Sequence, residues 1–326
     1  MIQYQIKVRD TGPSTFNLAL KTHRIVFMGT PEFAVASLDA LLSAGFNIVG
    51  VVTAPDKPAG RGLNLTQSAV KKYAVEKGLN LLQPEKLKNA GFLQELKSLQ
   101  ADLHVVVAFR MLPEVVWSMP PMGTINLHGS LLPQYRGAAP INWAVINGEK
   151  RTGVTTFKLK HEIDTGDILM QEIIDIGENE TAGELHDRMK DIGAHLLVRT
   201  VQGLFEGTLK ESPQENPAGK ELKHAPRIFT DTCKIDWNRS TKEIHDLIRG
   251  LSPFPAAFTT INGKLIKIYR SEIDNISATI QPGAYDTDGK QYLKFATKDG
   301  FILVKELQLE GKKRMNVTDF LKGFRF

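Results

Sequence analysis

What most restricts the fold of this chain is a rhythm of short apolar runs separated by helix-length segments. Residues 24–28 (Arg-Ile-Val-Phe-Met) and 47–53 (Asn-Ile-Val-Gly-Val-Val-Thr) are apolar at nearly every position, as strands covered on both faces require. Between them Gly29-Thr30-Pro31 turns into a helix-like segment: Pro31 fits its first position, where no N–H is needed, and Gly45 fits its end. Residues 103–108 repeat the continuous apolar run. Strand–helix–strand units in series predict an α/β fold with a doubly wound, mostly parallel sheet. The first turn carries Gly29 alone where a dinucleotide fingerprint needs G-x-G-x-x-G, so a nicotinamide enzyme is disfavoured.

The rhythm changes toward the C-terminus. Thr181 and Glu184 form a capping box that opens a helix reaching about Leu204. Residues 207–226 hold Pro213, Pro217 and Pro226 and read as a linker. Beyond it, Ser240 and Glu243 cap a short helix that Leu251-Ser-Pro-Phe-Pro255 ends. Short alternating strands follow, with turn signals at Asn262-Gly263, Asp288-Gly289 and Asp299-Gly300. That pattern predicts a smaller antiparallel, OB-like β-barrel domain. The expected organisation is an extension of unassigned role at 1–23, a catalytic core at 24–206, a linker at 207–226 and the barrel at 227–326.

The chemistry-bearing stretch runs from residue 123 to 140. Residues 124–128 read as a short strand in which Asn126 and His128, two apart, share a face. Gly129, Pro133 and Gly137 then shape a loop. Imidazole can move protons near neutral pH, and an amide N–H can stabilise an oxyanion. From spacing alone, a packed structural histidine remains the commoner reading. Asp164-Thr-Gly-Asp167 forms a turn between two strands, and turn aspartates usually bond their own backbone. His161 has no partners at metal-ligand spacing, and no metal is implied. The lone Cys233 cannot form an internal disulfide and suits a small buried position. No apolar run approaches the roughly 20 residues that cross a membrane, and a cytoplasmic location with no membrane partner is expected.

Net charge is +5, unevenly spread. Residues 51–100 carry eight Lys and Arg against four Asp and Glu; residues 301–326 carry six against three. Residues 151–200 reverse the balance, with six against ten. Two basic regions could face one polyanion, although scattered solvated lysines would give the same counts.

Asn126-Leu-His128-Gly-Ser-Leu-Leu-Pro133, followed by Tyr135-Arg136-Gly137, resembles the signature of folate-dependent formyltransferases. Asp164-Thr-Gly-Asp-Ile-Leu169 resembles the segment that carries their catalytic aspartate, and the likeness runs from Arg24 to the C-terminus. It implies Asn126, His128 and Asp164 as catalytic residues. Ser130, Leu131, Leu132 and Pro133 would line the site of 10-formyltetrahydrofolate, the formyl donor. Transfer to an amino group would be direct, with no covalent enzyme intermediate. In the turn-rich loop of residues 54–65, Pro58-Ala-Gly-Arg-Gly62 resembles the insertion by which the tRNA-acting members enter an acceptor arm. That implies initiator methionyl-tRNA as partner, met by Lys57 and Arg61, with Lys312, Lys313 and Arg314 helping to grip phosphates. A sugar-nucleotide formyltransferase is not expected to carry this loop. A non-enzymatic RNA-binding protein would have no use for the three catalytic residues together. Phe109-Arg110-Met111 departs from the Tyr-Gly expected there and leaves that wall of the pocket open.

Overall fold

β1 (Arg24–Gly29) lies near the middle of a seven-stranded sheet in the computed structural model, which describes residues 22–59, 64–216 and 221–324. Its alternate residues are buried on opposite sides. Ile25 and Phe27 join one core with Leu38, Leu127, Leu185 and Leu197, whereas Val26 and Met28 join another with Val52, Phe92 and Val106. Helices therefore cover both faces, which is why the strand sequence is apolar throughout.

Helix α1 (Glu32–Ser43) follows β1; Pro31 occupies its N-cap with extended backbone, one position earlier than expected. Next come β2 (Asn47–Val52), a hairpin stem of β3 (Lys57–Ala59) and β4 (Asn64–Thr66), α2 (Ala69–Glu76) capped by Ser68, β5 (Leu81–Leu82), α3 (Ala90–Ser98) and β6 (Leu103–Val107). β7 (Thr124–His128), the two-residue β8 (Arg136–Gly137), α4 (Pro140–Ile146), β9 (Arg151–Lys158) and β10 (Ile168–Asp175) complete the sheet half. α5 (Ala182–Phe205) then packs back along α1, its capping box formed as predicted. The sheet order is β10-β9-β7-β6-β1-β2-β5. Its pairings are parallel except around β9, which runs antiparallel to both neighbours. The loops that leave the ends of β6 and β7 thus open on one edge.

A two-residue strand β11 (His224–Ala225) precedes the second domain. There α6 (Thr241–Leu251) packs on an antiparallel sheet of β12 (Ala257–Ile261), β13 (Lys264–Asp274), β14 (Tyr285–Thr287), β15 (Leu293–Ala296) and β16 (Phe301–Leu309). β17 (Met315–Asn316) pairs with β16, and α7 (Val317–Gly323) closes the described chain. The turns fall at the three predicted dipeptides. The sheet order, β12-β13-β16-β15-β14, leaves β12 and β14 as edges, so this is a curled half-barrel. Ile244, Ile248 and Leu251 of α6 bury against Ile266, Phe295 and Val304. The same helix meets the sheet half: Asn142 donates to the Gly250 carbonyl at 2.8 Å, and buried Arg249 pairs with Asp246 at 2.8 Å while reaching the Glu180 carbonyl at 3.1 Å. A buried guanidinium without such partners would be strongly destabilising.

His104, on β6, is buried with no partner at Nδ1 among the described residues, and burial pulls its pKa from 6.5 to about 4. Between those values the unfolded chain binds the extra proton, so this group's stabilisation is complete above about pH 6.5 and is lost as pH falls toward 4. The loss is on the order of 3 kcal/mol. His104→Leu should therefore narrow the stability difference between pH 7 and pH 4.5 by about 2–3 kcal/mol, read from urea melts at both values. Equal acid losses in the two proteins would place the proton uptake elsewhere.

Candidate active site

β7 ends at a cleft of about 1080 Å³ between the sheet edge and the C-terminal domain. Asn126 and His128 both line it, as their shared strand face requires. Asn126 is half-buried, and its amide has no hydrogen-bond partner among the described residues. His128 is buried, its ring edge-on to Phe157. The imidazole Nε2 lies 2.9 Å from the Tyr135 carbonyl oxygen. A carbonyl only accepts, so Nε2 carries a hydrogen and donates it there. Nδ1 is left facing Asp164, 3.8 Å from Oδ2.

Asp164 does not bond its own turn. Its Oδ2 reaches across to accept the Gly137 N–H at 3.0 Å, with Asp164 itself in a left-handed conformation at φ +54°. The Asp167 carboxylate is paired with Lys160 at 2.7 Å rather than with the backbone of its own turn. Gly166 between them is required by contact: a Cβ there would fall 1.5 Å from the Lys158 carbonyl. His128 and Asp164, 36 positions apart, are thus brought together by the turn between β9 and β10.

The loop after β7 is held from behind by groups that sequence reading missed. Tyr135, at φ +60°, donates its hydroxyl to Glu149 Oε1 at 2.6 Å, and Lys223 Nζ binds the same oxygen at 2.6 Å. Burial and the Glu149 bond push the Tyr135 hydroxyl above its usual range, so it stays a donor. Burial works against the Glu149 carboxylate, but its bonds to Lys223 and Tyr135 outweigh burial and hold its pKa below normal. The segment read as a linker is stitched to this loop. The Tyr135 N–H donates to the Lys223 carbonyl at 2.7 Å, β8 pairs parallel with β11, and the Ala138 N–H donates to the Ala225 carbonyl at 2.7 Å. Gly137 sits at φ +125°, where a Cβ would fall 2.5 Å from that carbonyl. Only glycine lets β11 approach.

None of the four residues expected to line the folate site is in the lining of this cleft. Ser130 is fully buried, its hydroxyl donating to the Gln134 carbonyl at 2.6 Å, and the Leu132 N–H donates to Thr155 Oγ1 at 3.2 Å. Leu131 faces a separate shallow pocket, and neither Ser130, Leu131, Leu132 nor Pro133 lines the cleft. They sit one layer behind it and shape the turn that presents Tyr135 and Gly137. The cleft wall comes instead from Val106, Ala108, the Phe109–Leu112 stretch and Trp117. Arg110 donates to the carbonyls of Pro84 and Glu85, and burial lowers its pKa.

On the proposed RNA side, Lys57 is exposed on the β3–β4 stem, whose base is tied by a 2.5 Å ion pair between Asp56 and Lys71. Arg61 lies outside the described residues. Lys312 and Lys313 are exposed in the turn after β16, away from the cleft, whereas Arg314 lines it. Arg314 makes a forked contact with Glu306 at 2.6 and 2.5 Å, over the Tyr269 ring, which leaves it a less available cation than its neighbours. Phe254 stands 81% exposed at the cleft rim, a role that its place in a helix stop does not announce. No described helix is long and apolar enough to cross a membrane.

Comparison with known proteins places this geometry. Residues 23–201 match the formyl transferase family model, and residues 227–325 match the model of the formyl transferase C-terminal domain. Methionyl-tRNA formyltransferase of Parabacteroides distasonis is 56% identical over 93% of this chain and 96% of its own. The enzyme of that name from Flavobacterium johnsoniae is 50% identical over 93% and 96%. Among solved structures, an N-formyltransferase of Helicobacter canadensis with folinic acid and dTDP-3-aminofucose superposes with a TM-score of 0.67. It is 22% identical, covering 90% of this chain and all of that one. HypX of Aquifex aeolicus with tetrahydrofolic acid gives 0.60 at 18%, covering 92% of this chain and 48% of its own. Both structural likenesses speak for the fold.

Gly137→Ala should lower stability by about 2 kcal/mol or more, since it strains both a left-handed backbone and the β8–β11 contact. Hydrogen exchange at the Ala138 and Ala139 amides should accelerate with it. Unchanged exchange there would mean that Gly137 does not seat the strand.

Proposed function

The chain belongs to the formyl transferase family, and on that footing we propose that it passes the formyl group of 10-formyltetrahydrofolate to the α-amino group of methionyl initiator tRNA. The observation that carries this reading is the near-full-length likeness to relatives named methionyl-tRNA formyltransferase, at half or more of all positions. A folate-derived donor is what the family uses. The cleft, at about 1080 Å³, is slightly larger than the usual range for one small ligand, and so suits a donor together with the end of a larger acceptor.

The reaction is an acyl transfer through a tetrahedral intermediate. Asn126, whose side-chain amide has no partner among the described residues, donates N–H to the formyl oxygen as negative charge develops. One such donor is worth about 3 kcal/mol of barrier. His128 moves the proton. Its Nε2–H is committed to Tyr135, so exchange runs through Nδ1: the proton leaves the attacking amine and returns to the departing folate nitrogen. Asp164, beside Nδ1 and anchored by the Gly137 amide, stabilises the imidazolium that exists between the two transfers. No enzyme side chain forms a bond to carbon. Ser130, Leu131, Leu132 and Pro133 serve the donor site through the loop they shape. Lys57, Arg61, Lys312 and Lys313 meet RNA phosphates, and Arg314 acts from the cleft wall, where a phosphate must compete with Glu306.

Labelled formyl-folate offered with aminoacylated initiator tRNA should yield formylated tRNA, and none with a nucleotide-linked amino sugar. Preference for the sugar would overturn the reading. In single turnover, His128→Ala and Asp164→Asn should each slow transfer at least about 100-fold with tRNA affinity little changed. Rates within about threefold of the parent would remove those residues from the chemistry. Arg61→Ala should lower kcat/KM for tRNA roughly 10-fold, about 1.4 kcal/mol, and flatten its salt dependence while sparing folate binding. Equal losses for both substrates would make the loop part of the folate site.

A further inference from the structure

Gln214 lies in the segment between the domains, half-buried and outside the cleft lining. Its side chain nevertheless meets both halves of the catalytic apparatus. The amide nitrogen donates to the carbonyl oxygens of Asp164 and Gly166, each at 2.8 Å. The amide oxygen accepts from Arg136, at 3.1 Å from Nε and 2.6 Å from Nη2. Arg136 immediately precedes Gly137, whose N–H holds the Asp164 carboxylate. The contacts therefore close a ring: Gln214 to the Asp164 backbone, the Asp164 side chain to Gly137, Arg136 back to Gln214. Two residues upstream, the backbone of Ser212 pairs with Ile168 in both directions, at 2.7 and 2.9 Å, which pins the segment to the start of β10.

Asp164 needs such a clamp. It sits at φ +54°, a conformation that a non-glycine residue holds only when its surroundings impose it. Its carboxylate is 3.8 Å from His128 Nδ1, so a shift of under an ångström decides whether it orients the ring. The two carbonyls bound by Gln214 flank the turn that sets this position. An amide is the side-chain group suited to the task, since it donates two hydrogens on one side and accepts on the other.

We propose that Gln214 is a positioning residue for the transfer reaction, fixing the Asp164 turn and the Arg136–Gly137 strand against each other so that Asp164 is held beside His128. This rests on the reading of Asp164 given above. Gln214→Leu keeps the size and removes every polar contact. It should lower single-turnover transfer roughly 10- to 100-fold with KM for folate and for tRNA within about threefold. In an Asp164→Asn background the same change should cost nothing further, because Gln214 acts through a carboxylate no longer there. Gln214→Glu retains an acceptor for Arg136 but loses both donors to the turn, and should be impaired like the leucine variant. It also supplies the test should the leucine protein fold poorly by thermal melt. Three outcomes would overturn the proposal: transfer within threefold of the parent in a folded variant, losses that simply add to those of Asp164→Asn, or full activity of Gln214→Glu. If Asp164→Asn itself leaves transfer unchanged, the catalytic reading of Asp164 fails first, and the test has separated the two.

Discussion

A loop that lies beneath a cleft must find partners for its own peptide groups, because water cannot reach all of them. The stretch after β7 meets this need with chain from far away. Peptide groups of Tyr135 to Ala139 bond to Lys223 and Ala225, and the Asp164 carboxylate takes the Gly137 N–H. The His128 and Asp164 side of the proposed site depends on this arrangement. The Tyr135 carbonyl that sets the His128 ring is positioned by it, and so is the aspartate beside that ring. Glycine at 137 is the steric condition for the whole assembly.

The elements were legible in the sequence because their causes are local. Alternate burial of Ile25 and Val26 follows from a strand covered on both faces, and the boxes at Thr181 and Ser240 close within three residues. The half-barrel turns fall where Asn-Gly and Asp-Gly pairs announce them. Asn126 and His128 share a wall because strand geometry leaves no choice. What was hidden is what depends on distant chain. The β8–β11 pair joins residues 88 apart in two-residue strands too short to show any period. Three prolines made residues 207–226 read as a spacer, although much of the described part is hydrogen-bonded to the core. The place of Ser130 to Pro133 was also hidden: a polar and apolar loop sequence does not reveal which side faces the cleft.

The ion pairs around the cleft distinguish structural charge from available charge. Arg270 reaches both Glu184 and Glu306, and Arg314 forks onto Glu306, so two arginines and two carboxylates tie the start of α5 to the half-barrel. Cations already satisfied in this way contribute little to a counterion-release term. Lys312 and Lys313 stand exposed one turn away. A basic run read as one patch thus divides into a bracket and a pair of lysines with no carboxylate partner among the described residues.

The short parallel pairing of β11 also says where the molecule can be cut. By covalent order His224 and Ala225 lead into the second domain, yet their partners belong to the first, as does the Trp143 indole that donates to the Pro226 carbonyl at 2.7 Å. A chimera that joined this catalytic half to a foreign half-barrel at residue 206 would discard the wall behind its own active-site loop. One joined just past Pro226 would carry that wall with it. Modular exchange among such proteins is therefore constrained to a seam some twenty residues later than the helix end suggests.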